Sequence, residues 1–414
     1  MYIEAGLIPP TALETSKQVA TALHILLVSE ASLEHTSGVT NSVKQVTEQL
    51  VTGGHQVSII CPHPAPSSFV GAEIMTTKSI NLKGFDVGHK TVKRFRQVMN
   101  DVGPDVLHAA APMQVPKGVL FLGGNAIKAA CKLEVPAVAV YQTDAVRFAG
   151  FLGLGLTAPV IEKQLRKMHN RAQLNLVPSE ASRQDLLHWG VRADTIRPWG
   201  RGVDTSLFRS NRKTTPEVME LRDRWAPNGE VIVGVVSRLE PEKSLHKLGV
   251  LNDISGLRLV VVGDGTEKAA LHKALPNAHF TGRLGGEELA NAYAALDIFA
   301  FPSTVDTFAQ VIQEAHASGV PVVAANRGGP RDLVLHGVNG FLYEPAEKHA
   351  ADTELRQYVM QLAEDHALRT VMAEKAEAFV AGKSWAVLTH QILDYYYEAL
   401  QIQKVPADAA TVSS

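Results

Sequence analysis

Two cysteines in 414 residues are too few for a disulfide framework, and nothing beside them suggests a zinc site. Cys61 closes the apolar run at 57–61 and Cys131 lies in a stretch of helical spacing, so both are expected to be buried and reduced. Neither sign of charge dominates. Lys and Arg number 40 against 42 Asp and Glu, a formal net charge of -2, which excludes a general basic field for nucleic acid or anionic lipid. No uninterrupted apolar run reaches the roughly 20 residues needed to cross a bilayer, since residues 148–161 are short and broken by glycines and Pro159. Residues 1–22 lack the basic flank and apolar centre of a secretory signal and carry Pro9, Pro10 and Glu14 instead, which reads as a flexible leader. Asp-x-Asp, a short carboxylate clamp for a divalent cation on a nucleotide, is absent. The expectation is a soluble cytoplasmic protein, at most peripheral to a membrane.

What is present is alternation. The apolar run at 23–29 is followed by a polar loop and a helical pattern from about 41 to 52. Buried-strand runs recur at 56–61, 105–108, 137–141 and 174–177, with helical spacing at 91–101 and 119–133. A second series of runs occupies 231–237, 257–263, 279–282, 298–302, 320–324 and 340–343. Such alternation predicts an α/β chain with two doubly wound, Rossmann-like parallel sheets. The pause at 197–208 (RPWGRGVDTSLF) marks the boundary. The expected domains are 23–200 and 201–382, followed by a closing helix at 383–401 and a tail at 402–414.

Ligands of open parallel sheets bind outside the carboxyl ends of the strands, so the loops there carry the chemistry. Ser37-Gly38-Val39-Thr40 precedes a helix, and Gly38 is either a turn residue or a point where backbone approaches a phosphate. Gly263-Asp264-Gly265 resembles a dinucleotide fingerprint, but Lys268 stands where the third glycine belongs, so no nicotinamide site is read there. Arg238 and Lys243 share one loop after a strand. They are either solvated surface charge or the cations that neutralise a diphosphate. The richest cluster is 302–315 (PSTVDTFAQVIQEA). Asp306 or Thr307 is expected to cap the helix that follows, and Glu314 to lie two turns on along nearly the same face. The two acids then serve as a cap plus a buried glutamate, or hold sugar and ribose hydroxyls at opposite ends of one ligand.

Together, Ser37-Gly38-Val39-Thr40, the 238–243 loop, Val262-Gly263-Asp264-Gly265, the 306–314 segment and Ala317-Ser318-Gly319-Val320-Pro321-Val322-Val323 closely resemble the retaining glycosyltransferase family 4. The resemblance spans about 23–400. It implies the GT-B fold, two Rossmann-like domains with an interdomain cleft, and transfer of a sugar from a nucleotide diphosphate donor with no metal required. The runs Ala139-Val140-Tyr141-Gln142-Thr143-Asp144 and Gln313-Glu314-Ala315-His316-Ala317-Ser318-Gly319 are most similar to actinobacterial mannosyltransferases using GDP-mannose and a glycolipid acceptor such as glucuronosyl diacylglycerol. Mannosyl transfer to phosphatidylinositol mannosides, glucosyl transfer from UDP-glucose, epimerisation of a nucleotide sugar and a silent nucleotide-sugar-binding protein stay open as alternatives.

By position, the resemblance implies that Arg238, Lys243 and the backbone N–H groups of Phe308, Ala309 and Gln310 bind the diphosphate. Gly38 lets the N-terminal loop approach it, Asp306 contacts sugar hydroxyls and Glu314 accepts from the ribose. Asp306 is one methylene shorter than the family's usual Glu. Gln142 replaces a histidine that contacts the transferred sugar in many relatives, and glutamine cannot carry a proton. His108, at a strand end, is the remaining candidate acid or base, although a lone strand-end histidine is also a common structural residue. Residues 147–171 (RFAGFLGLGLTAPVIEKQLRKMHNR) set an apolar half beside Lys163, Arg166, Lys167 and Arg171. That is either an ordinary loop and helix or a peripheral contact with the anionic inner face of the plasma membrane.

Overall fold

The structure, a computed structural model, describes residues 21–34, 37–82, 85–113, 121–144, 146, 158–346 and 352–404. Most of the expected leader, the 147–157 half of the lipid-facing segment, and the tail from 405 onward lie outside the described residues.

Two sheets organise the chain. The first runs in the order Ile196–Pro198, Leu174–Val177, Ala137–Val140, Val106–Ala110, His24–Ser29, Gln56–Pro62, Ala72–Thr77 and Ser68–Phe69. All pairs are parallel except the last. The second is wholly parallel, in the order His279–Gly282, Leu257–Val262, Val231–Val236, Ile298–Phe301, Val322–Ala325 and Gly340–Tyr343. Its central strand VIVGVV is buried on both faces, which is why it reads as a continuous apolar run instead of an alternation. Strand Ala72–Thr77, next to the edge, escapes that reading, because four of its six residues are partly or fully exposed and its apolar content is thin. The short pairing of Ser79–Leu82 with Phe85–Gly88 escapes it for lack of length.

The halves are joined twice. After Pro198 the chain crosses to the second sheet, and the helix Trp385–Lys404 returns to pack on the first. Trp385, Leu388, Ile392, Tyr396 and Ala399 from that helix share a core with Trp199 and the first sheet. Trp199 Nε1 donates to the Leu388 carbonyl at 2.8 Å, and Arg197 pairs with Glu398 at 2.6 Å. The helix runs to Lys404, past the expected end at 401. No described helix is long and apolar enough to cross a membrane.

Two expectations change. Cys131 is exposed, because it falls on the outer face of the helix Gly123–Lys132; Cys61 is buried, and burial pushes its thiol up to about 11. His108 is a core residue of the first half, 2% exposed. Its Nδ1 and the Tyr396 hydroxyl share a hydrogen bond of 2.6 Å beneath the closing helix, and burial drives its pKa down to about 3. A histidine buried this way and bonded to Tyr396 is walled off from solvent.

Tyr396→Ala removes a fully buried ring and strands His108 Nδ1, so it is expected to cost about 3–5 kcal/mol. A lowered urea midpoint at unchanged slope checks this. Tyr396→Phe keeps the ring and is expected to cost about 1–2 kcal/mol.

Candidate functional site

The loop after strand Val231–Val236 carries Arg238 and Lys243. Leu239, fully buried, anchors it. Its amide donates to the Asp264 carbonyl at 2.9 Å. The glycines of Val262-Gly263-Asp264-Gly265 support this loop: a Cβ on Gly263 would overlap the Ser237 carbonyl, and one on Gly265 the Leu239 backbone. Their smallness is explained by close backbone packing. Arg238 Nη2 pairs with Glu242 Oε1 at 2.7 Å. Pro241–Lys243 form one turn of 3-10 helix, and Ser244 follows in the left-handed region with φ 54°. That turn aims Lys243 at the neighbouring loop, where its Nζ meets Asp306 Oδ1 at 2.6 Å.

Asp306 is not a helix cap, and neither is Thr307. The helix spans Gln310–Ala317 and is preceded by Ala309 at φ 71°, with no side chain capping it. An alanine there costs roughly 1–2 kcal/mol. Asp306 and Glu314 therefore do not share one helical face, since only Glu314 is on the helix. Asp306 closes the loop by accepting from Ser303 Oγ at 2.5 Å as well as from Lys243. Its backbone carbonyl accepts from the Gly329 amide at 2.9 Å. A Cβ on Gly328 would come 2.6 Å from that carbonyl, so Gly328 and Gly329 allow the two loops to touch. Burial alone would raise the Asp306 pKa, but Lys243, Ser303 and Arg238 together hold it below the usual carboxylate value.

Glu314 sits in the opposite regime. Burial pushes its carboxyl up to about 7, opposed by a hydrogen bond of 2.8 Å from the buried Tyr293 hydroxyl. Among the described residues it makes no ion pair.

Across the cleft, the helix Gly38–Thr52 begins three residues earlier than its pattern predicts, because Ser37 Oγ caps it by accepting from the Thr40 amide. Gly38 is thus the first helical residue. A Cβ on it would lie 3.3 Å from Arg201 Nη1, and Arg201 donates to the Gly38 carbonyl. Gln142 follows strand Ala137–Val140. Its Nε2 donates to Ser42 Oγ at 3.2 Å, and its Oε1 is buried without a partner among the described residues. Its carbonyl accepts from Thr307 Oγ1 at 3.0 Å, which bridges the two halves. Asp332 makes a second bridge, accepting the Glu180 amide at 2.5 Å beside a cavity of about 160 Å³ lined in part by Ser179, Arg183 and Trp199.

The structure thus gathers Gly38, Gln142, Asp306, Thr307 and Lys243 around one cleft, with Arg238 acting on Asp306 through its charge. Phe308 and Ala309 are buried at the helix mouth, and Gln310 Nε2 donates to the Gly202 carbonyl at 2.7 Å. Sequence reasoning missed four contributors. Arg201 was visible only as part of a boundary, Ser303 stood unremarked beside Asp306, and the Gly328-Gly329 pair was a signal left unused. Tyr293 carried no signal of its own. Among the described residues, no group of three or more His, Cys, Asp or Glu could hold a metal ion.

Comparison with known proteins follows the same division. Residues 36–207 match the family model described as Glycosyltransferase Family 4, and 219–379 match Glycosyl transferases group 1. The chain is 34% identical over 399 residues to a GDP-mannose-dependent alpha-mannosyltransferase of Corynebacterium glutamicum, covering 94% of this chain and 92% of that protein. It is 36% identical to the protein of the same name from Mycobacterium tuberculosis, covering 90% and 96%. Among solved structures it resembles Anabaena HepE in complex with UDP, with a TM-score of 0.73, 21% identity, and coverage of 91% of this chain and all of that one. That likeness carries the two-domain GT-B fold.

Glu314 supplies a pH test. Its folded pKa of about 7 exceeds the ordinary 4.5, so the folded chain binds more protons than the unfolded one in between, and stability falls as pH rises through that window. Glu314→Gln is expected to remove roughly 1–3 kcal/mol of that fall, read as a smaller drop in thermal midpoint from pH 4.5 to 7.5. Lys243→Ala is expected to raise the Asp306 pKa above the usual carboxylate range, checked by carboxyl NMR titration.

Proposed function

Because the chain belongs to glycosyltransferase family 4, we propose that it transfers mannose from GDP-mannose to a membrane glycolipid with retention of configuration. Glucuronosyl diacylglycerol is the acceptor class that the resemblance implies. The observation that carries the proposal is the cleft itself. Cations from one loop, an ionised acid from the next and a helix start from the other half converge there, in a chain about 35% identical to mannosyltransferases.

Each residue then has a task. Lys243 has three N–H donors and spends one on Asp306, so it can take a phosphate oxygen without releasing that acid. Arg238 exchanges part of its pairing with Glu242 for the other phosphate. Asp306 stays ionised and offers its remaining lone pairs to sugar hydroxyls. Its shorter side chain is compensated by its loop, which Gly328 and Gly329 allow to pack closely. Glu314 accepts from the ribose diol, whose hydroxyls favour its charged form; donor binding near pH 7 therefore releases a proton.

No described group around the reacting centre is a free base, since Gln142 cannot take a proton and His108 is walled off. The leaving diphosphate fills that role. As the bond from the anomeric carbon to the phosphate oxygen breaks, the acceptor oxygen approaches on the same face, and its proton passes to the phosphate. Arg238, Lys243 and the N–H groups at the start of the Gln310–Ala317 helix stabilise the charge that develops. Same-face exchange accounts for retention.

The acceptor reading includes membrane contact. The helices Val92–Val102, Gly123–Lys132 and Ala158–His169 share one buried core through Phe95, Ile127 and Leu165. They turn Lys93, Arg94, Arg96, Lys132, Lys163, Arg166 and Lys167 outward. Ile161, Leu165 and Met168 face inward, so the last of these helices offers charge to a bilayer instead of apolar area. Each cation near an anionic surface contributes about 1 kcal/mol.

Radiolabelled GDP-mannose, UDP-glucose and UDP-N-acetylglucosamine, each incubated with membrane lipid extract, test donor and acceptor together. Label is expected in lipid from GDP-mannose alone; label from UDP-glucose alone would replace the donor reading. Lys243→Ala is expected to lower turnover at least about 100-fold in a folded protein. For the membrane face, flotation with anionic vesicles is expected at low salt and lost at high salt, and no binding at low salt sinks that part.

A further inference from the structure

The segment connecting the halves holds a cation that the ion pairs of the cleft leave out. Arg201 is only 6% exposed, and its Nη1 donates to the Gly38 carbonyl. Burial lowers its pKa to about 10, against the pull of Asp306, so it is charged at neutral pH. Lys243 is paired with Asp306 and Arg238 with Glu242. Among the described residues, Arg201 makes no ion pair. A guanidinium presents five N–H donors in a fixed fork, and one neutral carbonyl is poor compensation for the hydration it has given up. The arrangement lacks an anion.

Position says which anion. On one side of Arg201 is the start of the Gly38–Thr52 helix, whose first N–H groups have no intrahelical partner; an ideal Cβ on Gly38 would lie 3.3 Å from Nη1 and 4.0 Å from Nη2. On the other side is Asp306, which binds Lys243 directly. A phosphate between the helix start and the Lys243 loop meets positive charge from both halves.

We propose that Arg201 is a further donor-binding residue, contacting the diphosphate of the nucleotide sugar at the start of the Gly38–Thr52 helix. This rests on the donor reading of the cleft. The group recognised is the distal phosphate, not the base or the sugar. Because Arg201 lies on the crossover, the same contact ties the helix start to the donor when the cleft fills.

Calorimetric titration of the full-length protein with GDP and GMP, for the wild type, Arg201→Gln and Arg201→Lys, tests this through the ratio of the two affinities. Arg201→Gln is expected to lower the GDP preference over GMP about tenfold, the loss of one charge-assisted contact. Arg201→Lys, which keeps charge but loses the fork, is expected to lower it about threefold. A purely structural role would weaken GDP and GMP alike, so an unchanged ratio overturns the proposal. If Arg201→Gln does not fold, the Arg201→Lys ratio decides on the same terms. If the wild type prefers UDP to GDP, the guanine assignment fails while UDP against UMP tests Arg201 unchanged. Binding of neither diphosphate refutes both.

Discussion

A carboxylate taken out of water must be compensated, and Asp306 is the place where this protein meets that demand. Desolvation acts to protonate it. Lys243 and Ser303 each hold one of its oxygens, and Arg238 adds charge at longer range. Breaking such an arrangement on one side is far costlier than never building it. The loop that would clamp a diphosphate and the loop that would hold a sugar are therefore one electrostatic unit. The strained Ala309 and the glycine pair at 328–329 are tolerated because they let that unit close.

The two halves communicate through few direct contacts. Thr307 with Gln142, and Asp332 with the Glu180 amide, are single hydrogen bonds, worth about 1 kcal/mol net for the first and about 1.5–3 kcal/mol for the second, whose acceptor is a carboxylate. The closing helix is different, since it buries Trp385, Leu388, Ile392 and Tyr396 in the core of the first half. The return helix, not these bonds, is thus the main tie between the halves.

Asp306 and Glu314 show how one residue class is set to two states by its surroundings. Asp306, facing cations, is held ionised; Glu314, buried beside the Tyr293 hydroxyl, is pushed toward neutrality. A carboxyl near its midpoint at neutral pH changes charge as soon as hydroxyl donors arrive.

Much of this was legible in the chain itself. Strands buried on both faces announce themselves as apolar runs, so the two parallel sheets and their order along the chain could be read directly. Strand Ala72–Thr77 could not, because half-exposed strands carry a weak signal. Arg238, Lys243, Asp306 and Glu314 stood out through the resemblance and their place after strands, although Asp306 lies in a loop and not at the helix start. Their partners did not. Tyr293, Gly329 and Arg201 make their contacts with residues 21 to 163 positions away in sequence, and no local pattern encodes such a distance; Ser303 is only three residues from Asp306, but a lone serine carries no signal of its own. His108 shows the converse. Its expected place at the end of a 105–108 strand suggested chemistry, but the strand continues to Ala110 and a helix returning from the far end of the chain covers it as a core residue. Local composition determines which segments become strands, helices and charged loops, since those preferences act over a few residues. Which charges face each other, and which are dried or left wet, is decided only when the segments pack, because burial and Coulomb energy depend on neighbours in space.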